Sequence, residues 1–204
     1  MTIIELFNLL GAGVFATSGV LAAMRHGLDW MGALVLAALT AIGGGTIRDL
    51  LLDRPVFWLD QTANLWVILA TTALVIFYTR HFRPPLGLLR IADALGLALF
   101  AILGAQVAEQ LGTSPIIVLT MGVLTGCAGG ALRDTLVGEI PLIFRSTEAI
   151  YSTACVVGIL VYMGLQAADV ERTLAMLVGM VTIAGLRIAA IIKRIRLPAL
   201  KDRT

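Results

Sequence analysis

Charge is what this chain lacks most. Of its 204 residues, 14% are charged and 59% are hydrophobic, with a mean hydropathy of +0.96. A soluble domain of this length needs about a quarter of its residues charged to clothe its surface. Cysteine and histidine are nearly missing, at two each. Cys127 and Cys155 fall in apolar stretches without metal-type spacing, which argues against a disulfide framework or a zinc site and reads them as small packing residues. No hydrolytic triad, metal-ligand cluster or phosphate loop is present, since no Gly-Lys-Ser/Thr follows the glycine-rich stretches. Neither an enzyme nor a cofactor is expected. A net charge of +2 with a pI near 8.8 does not imply nucleic acid.

What the chain does have is long charge-free runs. They cover 6–24, 30–47, 61–79, 94–108, 110–132 and 149–168, and a last stretch, 173–192, is interrupted only by Arg187. A bilayer-spanning helix needs about 17–25 apolar residues. The pattern therefore predicts an all-α integral membrane protein with seven transmembrane helices, at roughly 3–24, 30–50, 61–79, 90–110, 114–136, 148–167 and 173–192. Little sequence lies outside these spans, so residues 1–204 read as a single transmembrane domain. The first segment carries Glu5 rather than a basic leader and its apolar stretch is long, so it reads as a retained helix and not a signal peptide.

Basic residues set the orientation. One side of the membrane collects Arg25, Arg80, Arg83, Arg90, Arg145 and the tail residues Lys193, Arg194, Arg196, Lys201 and Arg203, while the other collects Arg54 and Arg172. Cytoplasmic loops carry the excess of Lys and Arg, which predicts an amino terminus outside and a basic tail, 193–204, in the cytoplasm.

The chain also repeats itself at one constant offset. Thr40-Ala41-Ile42-Gly43-Gly44-Gly45-Thr46-Ile47-Arg48-Asp49 returns as Thr125-Gly126-Cys127-Ala128-Gly129-Gly130-Ala131-Leu132-Arg133-Asp134. In the same register Gly11, Phe15, Ala16, Gly19 and Gly27 match Gly96, Phe100, Ala101, Gly104 and Gly112. Repeat 1 spans about 3–80 and repeat 2 about 88–167, leaving the seventh helix, about 173–192, outside the duplication. Three spans per repeat force the second copy to cross the membrane upside down, an inverted 3+3+1 arrangement.

Gly43–Gly45 and Gly129–Gly130 have two readings. Small residues let membrane helices approach closely. A glycine cluster can also break or kink a helix beside a polar pathway, and this second reading is preferred here. Arg48, Asp49, Arg133 and Asp134 follow at equivalent depths on either side of the midplane. Consecutive helix positions do not face each other, so each Arg is expected to find its carboxylate on another helix, the alternative being snorkelling to the headgroups. Asn8 and Asp93 occupy equivalent positions, although Asp93 also reads as a helix cap. Thr17, Ser18, Thr40, Thr120 and Thr125 are candidates to line a polar path, or simply to bond back to their own helices. Pro55 and Pro141 read as helix terminators. His26 and His81 fall in loops beside Arg, where a surface or headgroup role is expected rather than metal binding.

These features resemble the prokaryotic trimeric intracellular cation (TRIC) channels over nearly the whole chain, from Leu6 to about Ile192. The paired Gly-Gly-x-x-Arg-Asp motifs at 44–49 and 129–134 carry the resemblance. It implies a homotrimer in membrane lipid, each protomer with its own pore for monovalent cations, K⁺ and less selectively Na⁺. It places Gly43, Gly44, Gly45, Gly129 and Gly130 at helix kinks, and Arg48, Asp49, Arg133 and Asp134 in or beside the pore. The second kink reads Ala128-Gly129-Gly130 instead of a full triplet. Related bacterial sequences are also described as glycine transporters. In that alternative, Arg48 or Arg133 would grip a substrate carboxylate.

Overall fold

The computed structural model describes residues 2–85, 87–145 and 150–193. Among them are eight α-helices: α1 (Ile3–Arg25), α2 (Trp30–Leu51), α3 (Phe57–Asp60), α4 (Ala63–His81), α5 (Leu88–Gln110), α6 (Pro115–Leu136), α7 (Tyr151–Ala167) and α8 (Arg172–Lys193). Six of these, all but α3 and α7, are long and apolar enough to cross a membrane; α7 is apolar but has 17 residues. The helix boundaries fall close to the expected spans. The start of the sixth expected span and the tail residues Arg194, Arg196, Lys201 and Arg203 lie outside the described residues.

Local chemistry starts the helices where sequence rules put them. Thr2 and Glu5 form a reciprocal capping box on α1, Asp29 accepts the Gly32 N–H at 2.7 Å to open α2, and Pro115 occupies the first turn of α6. The ends differ from expectation. Helices α2 and α6 stop before Pro55 and Pro141, at turns through Asp53 (φ 50°) and Gly138 (φ 75°), so backbone turns rather than the prolines end them.

The repeat is visible down to the turns. Gly27 and Gly112 both have φ 68°, and the bond Leu28 N–H to Ala23 O recurs as Thr113 N–H to Ala108 O. Even α3 has a counterpart, a 3₁₀ turn at Leu142–Phe144, where Leu142 is the repeat equivalent of Phe57. Contacts between the copies are reciprocal. Gly11 faces the Phe100 ring, Gly96 faces the Phe15 ring, and the two rings stack at 5.4 Å. Reciprocal contact of equivalent surfaces is the signature of a two-fold relation.

Helix α5 is the most enclosed, packed against α1, α6, α7 and α8, with Leu97, Ile102 and Leu103 in the core. Helix α2 packs on α1 and α6. The duplicated glycines lie where α2 meets α6. Each helix runs uninterrupted through them, so the expected break is not there. Small size is what the contact demands. A Cβ on Gly44 would run into the backbone carbonyl oxygen of Thr125, and a Cβ on Gly129 into that of Thr40. Gly43 makes room for Leu132, Gly45 for the Phe57 ring and Gly130 for Asp93.

Gly44→Ala therefore forces two backbones apart and is expected to cost about 1–3 kcal/mol. Gly185→Ala, which meets nothing within 4 Å, is expected to stay within about 0.5 kcal/mol of the parent. Thermal unfolding in detergent checks this, and equal melting of the two variants would refute the close-contact account.

Candidate functional site

One helical turn beyond each glycine contact stands an Arg-Asp pair, and all four side chains are buried. The adjacent residues pair with each other, contrary to the sequence expectation for Arg48. Arg48 Nε donates to Asp49 Oδ1 at 2.9 Å and Arg133 Nε to Asp134 Oδ1 at 2.8 Å, and in each pair Nη2 lies 2.8 Å from the same oxygen as an ion-pair contact. Neighbouring Cβ atoms do diverge on a helix, but a guanidinium stem is long enough to fold back along it.

The second carboxylate oxygen has a different task, again in both copies. Asp49 Oδ2 accepts the backbone N–H of Phe57, and Asp134 Oδ2 accepts that of Leu142, each at 2.9 Å. Each aspartate thus ties its helix to the start of the next short helical turn. Sequence reasoning missed this role; its trace was the constant spacing, in both copies, from the carboxylate to an apolar turn.

Beyond this shared frame the copies differ in charge. Arg133 Nη1 also donates to Asp93 Oδ1 at 2.8 Å and to Ser18 Oγ, so it is held by two carboxylates and a hydroxyl drawn from α6, α5 and α1. Asp93 lies inside α5 and is fully buried, which makes it a partner of Arg133 rather than a cap. In the first copy Asn8 stands at the equivalent position, half-buried and making no hydrogen bond to Arg48. There Arg48 lies 5.7 Å from the Phe57 ring centroid, and Arg54 Nε approaches Asp49 Oδ1 at 3.9 Å. The repeat equivalent of Arg54 is Glu139. The first cluster of Arg48, Asp49 and Arg54 is formally +1; the second, Arg133, Asp134 and Asp93, is −1 taken alone and neutral once the neighbouring buried Arg187 is counted.

Several expected path-lining hydroxyls bond back to their own helices: Thr40 to Leu36 O at 2.6 Å, Thr125 to Met121 O at 2.6 Å, Thr17 to Gly13 O at 2.9 Å and Thr120 to Ile116 O at 2.7 Å. Ser18 instead serves Arg133. Among the described residues, two buried atoms of the cluster, Asp93 Oδ2 and Arg133 Nη2, have no hydrogen-bond partner. Beside the cluster, Arg187 of α8 is buried with its guanidinium 4.5 Å from the Tyr151 ring centroid. Cys127 and Cys155 are buried free thiols.

Removing one member of a buried ion pair leaves uncompensated charge and typically costs about 3–5 kcal/mol. Arg133→Met strands two carboxylates and Arg48→Met strands one. Arg133→Met is therefore expected to lower the melting temperature more, with partial recovery in Arg133→Met/Asp93→Asn. If Arg48→Met proved the more damaging change, the charge assignment would be wrong.

Comparison with known proteins follows the same duplication. A family model described as Glycine transporter matches residues 5–80 and again 90–167. A UPF0126 membrane protein of Vibrio cholerae is 41% identical over 199 residues, covering 97% of this chain and 82% of the relative. The UPF0126 inner membrane protein YadS of Escherichia coli K12 is 43% identical over 194 residues, with 94% and 93% covered. Among solved structures, a TRIC trimeric intracellular cation channel orthologue from Rhodobacter sphaeroides superposes with a TM-score of 0.89 at 37% identity, covering 96% of this chain and all of the other. A second structure, which describes conductance through TRIC cation channels, reaches 0.83 at 35% identity over the full length of both chains. On sequence and fold together, this integral membrane protein belongs to the prokaryotic TRIC family, alongside the UPF0126 membrane proteins.

Proposed function

We propose that the protein is a channel for monovalent cations, K⁺ and less selectively Na⁺, with one pathway in each protomer of a homotrimer. Seven helices cross the membrane as two inverted three-helix repeats plus α8, with the amino terminus outside. In this orientation the pair Arg48–Asp49 lies towards the outer face and Arg133–Asp134 towards the cytoplasm. The pathway follows the α2–α6 seam between them, and Gly43–Gly45 and Gly129–Gly130 are the points at which it opens. With a glycine Cα against a backbone carbonyl on each side, the seam described here is closed.

The observation that carries this reading is the second cluster. Two carboxylates share one guanidinium among apolar helices, and Asp93 Oδ2 has no donor among the described residues. A buried carboxylate oxygen needs a partner, and a passing cation meets that need. Arginine beside a cation path is offset at the second cluster, where Asp93 and Asp134 both face Arg133; at the first cluster one carboxylate, Asp49, faces both Arg48 and Arg54. The similarity to solved cation channels supports the same reading.

Glycine transport, the description attached to the family model, asks Arg48 or Arg133 to grip a substrate carboxylate. Both guanidinium groups are already engaged by the protein's own aspartates, so that role is disfavoured. Purified protein in liposomes is expected to pass K⁺ down its gradient without accumulating radiolabelled glycine. Saturable glycine uptake with negligible K⁺ flux would overturn the proposal.

A further inference from the structure

A side-chain bridge joins the two repeats away from the buried clusters. His26 caps the end of α1, and Glu139 lies just beyond α6. His26 Nε2 meets Glu139 Oε1 at 3.0 Å, and the other oxygen of Glu139 takes Arg145. His26 Nδ1 meets the backbone carbonyl of Ala22 at 2.9 Å. Both ring nitrogens therefore face oxygens that only accept. A carbonyl on one side and a carboxylate on the other are both satisfied only when both nitrogens carry protons, that is, by the imidazolium. The neutral ring turns one lone pair towards an oxygen.

The bridge stands over a cavity of about 60 Å³. The charged groups around it are Arg25 on the same helix as His26, Arg90 from α5, Asp134 from α6, Glu139 beyond α6, and Arg145 after the 3₁₀ turn. Asp134 is the carboxylate that holds Arg133, so this cavity leads from the bridge to the second buried cluster. Arg145, with His26 on the opposite oxygen, holds the Glu139 carboxyl below the usual carboxylate range, so the carboxylate end of the bridge keeps its charge. The His26 side chain is 29% exposed, open to protons from its own side of the membrane.

We infer that His26 and Glu139 form a proton-operated latch across the cytoplasmic mouth: protonated His26 ties the α1–α2 turn to the segment after α6 and closes the path to Asp134, and deprotonation releases it. The inference rests on the channel reading above and adds a regulating residue to it. Ion pairs this exposed contribute little to folding, so the latch opens and closes without unfolding the protein.

The test is K⁺ current in planar bilayers with the pH of each side varied separately between about 8 and about 5.5. Acidifying the side that carries His26 is expected to reduce current several-fold in the parent protein. His26→Gln and Glu139→Gln are expected to abolish that response, and His81→Gln to keep it, His81 being the only other histidine. A conducting parent that ignores pH, or a His26→Gln variant that responds like the parent, overturns the latch. A second readout does not depend on current: spin labels at the exposed positions Leu28 and Ile140 measure the separation of the two segments in lipid. A separation that grows with pH in the parent, and not in Glu139→Gln, supports the latch even if no K⁺ current is found. In that event the channel reading fails alone. A separation indifferent to pH overturns the latch.

Discussion

The contact on which the rest of this structure depends is that of Gly44 and Gly129 with the backbone carbonyls of Thr125 and Thr40. Two helices meet there with no side chain between them, and only glycine permits it. Because Arg48 and Arg133 each stand one helical turn after their contact glycine, the contact also sets where both guanidinium groups lie. The aspartates next in sequence hold those groups and bind the backbone at Phe57 and Leu142. Seam, ion pair and terminal turn thus form one unit, built twice. In lipid, apolar side chains gain little by leaving their surroundings, so close backbone packing and polar contacts of this kind must hold helices together.

The scaffold is nearly symmetric and its chemistry is not. The backbone repeats to the level of single turn hydrogen bonds, whereas Asn8 stands against Asp93, Arg54 against Glu139 and Leu103 against Ser18. These few replacements give the second cluster an excess carboxylate and the first an excess guanidinium. A duplicated unit that kept identical charges would present the same field at both ends.

Much of this was legible in the sequence. Apolar runs marked the helices closely because a membrane demands a fixed span of hydrocarbon, and the constant offset between matching residues exposed the repeat before any contact was known. The paired Arg-Asp motifs are the residues that form the two buried ion pairs. Their wiring was less legible, for physical reasons. Arg48 was expected to seek a carboxylate on another helix because adjacent Cβ atoms diverge, but the length of its side chain defeats that rule. The glycines were read as breaks in preference to close contacts, because a glycine cluster serves either purpose and the choice depends on which helix lies opposite. Asp93 near the start of α5 looked like a cap until Arg133, on the following helix, was seen to reach it. The pairing of His26 with Glu139, in opposite repeats, left no trace in local sequence.

The central claim is that the buried cluster of Arg133, Asp134 and Asp93 borders a path for cations. Single-protein recording in a planar bilayer under a KCl gradient tests it most directly. The account predicts discrete current steps whose reversal potential lies close to the potassium equilibrium potential. Steps reversing at the chloride potential, or a correctly folded protein that gives no unitary current in either direction, would contradict it.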